Sequence, residues 1–247
     1  MGLAPYGNQY KKIPGKKFTY IDIFRKIIKK TKYLGLKIDK EWIAYHLKRD
    51  VWVSKKFKSF FGNKRKPNGK ITQHHKNIAA ALQFRLEEIV LDNLRKIKKK
   101  YQIDNLCIAG GVGLNCSLNG KIHDLKLFKK IFVQPASGDS GLALGGLYLS
   151  IKNKISSNKD LSKEFNNYLG SEFSDSEIRR EIKSKRLKYK KPSNIFKYVA
   201  KLIKEGKIVA WFQGSSEFGP RALGNRSILA DPRNIEIKKV INEKVKN

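Results

Sequence analysis

Two arginines, Arg221 and Arg226, stand inside the run EFGPRALGNRSILADPR at residues 217–233, among glycine, proline, asparagine and serine. A guanidinium presents a planar fork of donors that fits phosphate or carboxylate in bidentate fashion. Gly219, Pro220 and Gly224 set a sharp turn. Asn225 and Ser227 add neutral hydrogen-bonding groups beside the two cations. A solvated turn has no need of this composition, so the run reads as an anion site.

Two other stretches have the make-up of ligand loops. AGGVGLNC at 109–116 ends an apolar segment and opens a helical one. Gly110 and Gly111 would let backbone approach a ligand with no Cβ in the way. The helix N-terminus that follows offers free N–H groups and positive potential, which suits a phosphate or a nucleotide. The run lacks the Gly-Lys-Ser/Thr of a P-loop and the third glycine of a dinucleotide fingerprint. A glycine turn that only packs strand on helix is therefore the competing reading. QPASGDSGLALGG at 134–146 is built alike. Asp139 there is either a capping aspartate or a metal ligand or phosphate partner.

Other chemistry-bearing residues are less organised. His74 and His75 are adjacent, and neighbours on a helix point in different directions, so they read as surface residues and not as a metal pair. His46 and His123 have no partner in sequence. Cys107 and Cys116 lack a Cys or His at metal-ligand spacing and read as free, partly buried thiols. There is no Gly-x-Ser-x-Gly elbow and no His-Glu-x-x-His.

The elements that must position these groups follow from the pattern. Residues 18–38 are compatible with a helix ending near Gly35, and residues 58–70 with a polar loop punctuated by Pro and Gly. Thr72 opens a long helix, with Ile78, Leu82, Leu86, Ile89, Val90 and Ile97 near a 3.6-residue period. Strand, glycine turn, helix, strand, turn, helix follow over 105–152, the order of a layered α/β domain. Residues 153–192 are polar and poor in aliphatics, except for a short helix capped by Ser174 or Ser176. From Ser193 the pattern is helix, strand, the arginine turn, strand and helix.

The formal charge of +33 points first to a polyanion such as nucleic acid or an acidic membrane. The cations are mostly lysines spread along the chain with Ile and Asn, where base reading favours arginine. Compositional drift over a solvated surface is the preferred account, with a basic nucleic-acid-binding protein as the alternative. No secretory h-region, myristoylation pattern or membrane-length apolar run is present, so a soluble cytoplasmic protein is expected.

At these motifs the chain resembles the ATP-dependent O-carbamoyltransferases of the nodulation-protein and antibiotic-tailoring type. The resemblance rests on MGLAPYG at 1–7, ITQHHKNIAAALQ at 71–83 and LCIAGGVGLNC at 106–116. It continues with IFVQPASGDSGLALG at 131–145, YLGSEFSDSEI at 168–178, and GKIVAWFQGSSEFGPRALGNRSILADPR at 206–233. It covers nearly the whole chain except parts of 10–65. A relative that modifies tRNA with threonylcarbamoyl is a further alternative, because that family shares the fold.

The resemblance implies an α/β protein with the second subdomain of an actin-like ATPase (ASKHA) fold, followed by the start of a YrdC-like domain. On this mapping residues 1–165 are the C-terminal half of the actin-like domain, 166–192 a linker, and 193–247 the N-terminal part of the YrdC-like domain. It implies that carbamoyl phosphate and ATP form a carbamoyl adenylate and that the carbamoyl group passes to the hydroxyl of a small-molecule or sugar acceptor. Gly110, Gly111 and Asn115 would belong to the nucleotide pocket. Arg221 and Arg226 would contact carbamoyl phosphate or its adenylate. Asp139 would be the aspartate ligand of a divalent metal, Fe or Mn, whose histidine ligands precede MGLAPYG in the family. The chain therefore reads as a fragment that is inactive alone, either a truncated reading frame or one piece of a split enzyme completed by complementing fragments.

Overall fold

In a computed structural model, residues 1–151 and 166–245 are described, as two compact units. One comprises Met1–Ile108 and Asn115–Val133; the other comprises Ala109–Leu114 and Gln134–Asn247. Together they form a mixed α/β protein with three two-stranded sheets among the described residues. The expected linker at 153–192 falls partly on 153–165, outside the described residues.

The first unit is built on α3 (Gln73–Tyr101). Its start is closed as Thr72 predicts: the Thr72 backbone N–H donates to His75 Nδ1 at 3.0 Å. Lys98, Lys99 and Lys100 occupy its last turn, where cations suit the negative end of the dipole. Against it packs α1 (Tyr20–Ile27), opened by a capping box between Thr19 and Asp22. Tyr20, Ile21, Ile23, Phe24 and Ile27 of α1 form one core with Ile13, Trp42, Ala81 and Phe61. Phe61 comes from α2 (Lys55–Phe61).

The helix expected to reach Gly35 stops at Ile27. The chain turns into a hairpin, β1 (Ile28–Lys30) paired antiparallel with β2 (Leu36–Ile38). Two β-branched isoleucines meet at this boundary, and Arg85 of α3 donates to the Ile28 carbonyl at 2.8 Å, so a tertiary contact takes a backbone acceptor that a longer helix would use. The apolar stripe of α3 is also broader than a single face. Asn77, Arg85 and Glu87 are buried in it, while Leu82 is exposed. A helix packed on several sides buries polar groups wherever partners reach them, and each of the three has one.

Beyond α3, β3 (Asn105–Ile108) and β4 (Lys130–Val133) pair in parallel, Leu106 opposite Ile131 and Ile108 opposite Val133. The crossover between them is α4 (Cys116–Asp124), whose Leu118 and Ile122 form a second core with Leu94 and Phe128. Parallel pairing requires such a crossover.

Cys107 and Cys116 are free, as expected, but exposed and not partly buried. Cys107 lies on the outward face of β3, because alternate strand residues face opposite ways and Leu106 and Ile108 take the inward positions. Both thiols should react with a water-soluble disulfide reagent in the folded protein without denaturant. Labelling only after unfolding would show that one is covered.

The second unit begins with α5 (Ser140–Ile151) and α6 (Asp175–Ser184), the latter capped by Ser174. It continues with α7 (Ile195–Lys204) and the antiparallel pair β5 (Val209–Phe212) and β6 (Arg226–Leu229), and closes on α8 (Ile237–Val245). The arginine turn is the β5–β6 connection. No helix among the described residues is long and apolar enough to cross a membrane.

Candidate functional site

Three segments read separately in sequence meet within the second unit. Ala109–Leu114 forms a short 3-10 turn over Gly111–Leu114, with Gly110 at φ +94°. The segment after β4 runs through Ala136, which is fully buried. The arginine turn lies against it: at Gly219, φ +114°, an added Cβ would stand 2.9 Å from the Pro135 carbonyl oxygen and 3.1 Å from Ala136 Cα. From the other side a Cβ on Gly141 would fall 2.2 Å from the Ala136 carbonyl oxygen. Arg221 Nη2 donates to the Leu114 carbonyl, which ties the turn to the first segment. The glycines at 141 and 219 are thus close-approach residues.

The turn is organised by a residue that the sequence reading passed over. Glu217 is buried, with a side chain of 0% exposure. Its Oε1 accepts the backbone N–H groups of Leu223, Asn225 and Arg226 at 2.6, 2.9 and 3.2 Å. Its Oε2 accepts Arg226 Nε at 3.0 Å. Burial pushes the carboxyl up, but the backbone donors of Leu223, Asn225 and Arg226 outweigh it and hold the group at about 2. The signal in sequence was an acid heading a glycine-proline turn that contains two arginines.

A carboxyl depressed this far stabilises the fold wherever it is ionised in the folded chain. That contribution is complete above its ordinary value of 4.5 and is lost as pH falls toward 2. The Glu217 side-chain carboxyl carbon should titrate near pH 2 by NMR. A midpoint near 4.5 would show a solvated carboxylate and a loose turn.

The two arginines differ in their surroundings. Arg226 is neutralised by Glu217, and its Nη2 donates to the Gly219 carbonyl at 2.6 Å. Its side chain remains 43% exposed at a cleft of ≈ 610 Å³, beside Ser227, Trp211, Phe212 and Ile228. That volume lies in the range of small-molecule pockets. Arg221 has no carboxylate partner among the described residues, and its Nε is buried without a hydrogen-bond partner in the protein. Ser137 Oγ and both amide atoms of Asn167 are likewise buried and unpartnered in this unit. The Asn167 backbone carbonyl accepts the Phe218 N–H at 2.8 Å, so Asn167 borders the turn. Buried groups of this kind ordinarily find a partner in water or a ligand.

Gly110 and Gly111 are exposed, with open space where a Cβ would lie. Asp139 is exposed immediately before α5, and its carbonyl accepts the Leu142 N–H at 3.1 Å. No group of three or more His, Cys, Asp or Glu able to hold a metal occurs among the described residues.

Asn115 belongs to the first unit, where it serves the fold. Its Oδ1 accepts the Leu118 N–H at 3.2 Å and caps α4, and its amide pairs with Gln83 at 2.9 Å. Gln83 in turn donates to Glu87 at 2.8 Å, and Glu87 pairs with Lys121. Gln83, Glu87 and Lys121 line a cavity of ≈ 220 Å³ that the sequence reading missed, because its polar walls lie on helices separated by long stretches of chain. His74 is not a surface residue. Its Nε2 lies 2.9 Å from the Phe61 carbonyl oxygen and its Nδ1 2.5 Å from the Tyr20 hydroxyl.

Comparison with known proteins was consistent along the chain. Residues 1–147 match the family described as carbamoyltransferase N-terminus, and residues 200–247 match carbamoyltransferase C-terminus. The nodulation protein NolO of Bradyrhizobium diazoefficiens is 36% identical over 249 residues, covering 100% of this chain and 42% of NolO. An uncharacterized protein of Synechocystis is 35% identical over 256 residues, covering 100% of this chain and 40% of that protein. The 3'-hydroxymethylcephem-O-carbamoyltransferase of Streptomyces clavuligerus is 32% identical over 166 residues, covering 66% of this chain and 30% of the enzyme. The chain thus spans well under half the length of these relatives.

Proposed function

This chain belongs to the carbamoyltransferase family, and from that premise we propose that it is part of an enzyme that uses carbamoyl phosphate and ATP to carbamoylate an acceptor hydroxyl. In this reading water takes the phosphoryl group of carbamoyl phosphate and phosphate leaves; the carbamate so formed attacks the α-phosphorus of ATP and displaces pyrophosphate, giving a carbamoyl adenylate. The acceptor oxygen then attacks the carbamoyl carbon, AMP leaves, and the hydroxyl proton passes to a base. The first unit and its parallel pair are read as part of an actin-like domain, and the segment from Ser193 as the beginning of a YrdC-like domain. A small-molecule or sugar hydroxyl is the acceptor class.

The observation that carries this reading is Arg221. It is a cation without a carboxylate partner among the described residues, held by one nitrogen and buried at another, at the junction of three glycine-bearing segments. Such a group is set to receive an oxyanion with little reorganisation. Arg226, paired with Glu217, presents a half-exposed guanidinium at the neighbouring cleft. Gly110 and Gly111 offer exposed backbone for the nucleotide, next to the same tie at Leu114. The nucleic-acid reading, which rests on lysines spread along the chain, is not favoured beside the carbamoyltransferase match.

A divalent metal, Fe or Mn, would need ligands besides Asp139. Equilibrium titration with carbamoyl phosphate tests the proposal. Arg221→Ala should weaken binding about ten- to a hundredfold, the value of one or two charge-assisted contacts. Unchanged affinity would remove Arg221 from the site.

A further inference from the structure

We infer that Glu217 is the positioning residue of the arginine turn: it acts through Arg226 and leaves Arg221 as the arginine whose charge is open to an anion. The inference deepens the carbamoyl phosphate reading above and rests on it. One oxygen of Glu217 gathers three backbone N–H groups, from Leu223, Asn225 and Arg226, and the other holds Arg226 Nε. The same arginine reaches back to the Gly219 carbonyl, so the turn is closed on itself from 217 to 226. Gly219 is in turn wedged against Pro135 and Ala136, and Arg221 is tied to Leu114. Releasing Glu217 would let the segment between these anchors re-form, and both guanidinium groups would lose their orientation.

A bystander charge and a positioning charge make opposite demands. A carboxylate that merely sits near an anion site repels the anion, and neutralising it should tighten binding. A carboxylate that orients the arginines should weaken binding when neutralised, because the donors no longer meet the anion together. Glu217→Gln keeps the shape and one carbonyl acceptor while removing the charge.

The test is titration of the chain with carbamoyl phosphate and, separately, inorganic phosphate. Glu217→Gln and Arg226→Gln should each weaken binding about tenfold. The double variant should be no weaker than either single one, because both break the same unit. Equal or tighter binding by Glu217→Gln, or additive losses in the double variant, would overturn the inference. A second measurement needs no variant. Amide hydrogen exchange at Leu223, Asn225 and Arg226 should be slow in the ligand-free chain and unchanged by phosphate. Fast exchange that slows only with phosphate would mean that the ligand, not Glu217, builds the turn. Should wild type fail to bind carbamoyl phosphate, the functional reading falls, and the exchange result alone decides the role of Glu217.

Discussion

Gly7→Ala should cost roughly 3–4 kcal/mol, read as a lowered midpoint in urea denaturation. Gly7 follows a 3-10 turn at Ala4–Tyr6 and has ordinary extended angles, φ −106° and ψ 168°. Its constraint is space. A Cβ there would stand 2.0 Å from the Lys76 carbonyl oxygen, 2.4 Å from that carbonyl carbon and 2.8 Å from the Asn77 nitrogen. These are backbone atoms inside α3 and cannot swing aside as a side chain would. The segment must lift off the helix instead. Lifting it breaks the bonds from Asn8 N–H to Asn77 Oδ1 at 2.8 Å and from Gln73 Nε2 to the Tyr6 carbonyl at 2.9 Å. It also exposes Ala4, which is 8% accessible. Gly2→Ala is the control in the same motif, since nothing lies within 4 Å of its added Cβ. An equal effect from both substitutions would refute the close-approach explanation.

The second large effect is expected from Glu217→Ala. Three backbone N–H groups would lose their acceptor, and Arg226 its carboxylate. Breaking a buried pair by removing one partner costs about 3–5 kcal/mol. Arg226 is 43% exposed and can rehydrate, which places the loss near the lower end, about 3 kcal/mol. Denaturation monitored at Trp211, on the strand entering the turn, reads it locally. A loss below about 1 kcal/mol, the scale of an ordinary surface substitution, would show that the turn stands without its carboxylate.

Much of the element order was legible because it depends on local signals. Thr72 and the lysine run delimit α3, Ser174 opens α6, and the apolar segments NLCI and KIFV bounded by turns give β3 and β4. The hairpin at 28–38 was not legible, since its strands are three residues each and their pairing is set by α3, not by any alternation of their own. The buried Arg85 and Glu87 were hidden for a related reason. A charged residue is buried only when a distant partner reaches it, and Ile28 and Lys121 lie far away in sequence.

The site was legible in part. The run at 217–233 stood out by composition, and Arg221 ties it to the glycine turn at 110–114. Their difference was invisible, because it is made by Glu217 folding back on the turn that it begins. The contacts of Asn115, whose amide caps α4 and pairs with Gln83, were not legible because Gln83 lies 32 residues away in sequence.

The activity proposed for this family member is the making of an activated carbamoyl group from carbamoyl phosphate and ATP. Its most direct test is the exchange of labelled pyrophosphate into ATP by the chain combined with the flanking segments that its longer relatives contain. Exchange should require carbamoyl phosphate, because pyrophosphate re-enters ATP only by reversal of adenylate formation, and Arg221→Ala should lower it about ten- to a hundredfold. Exchange that proceeds equally without carbamoyl phosphate, or that is unaffected by Arg221→Ala, would contradict the account.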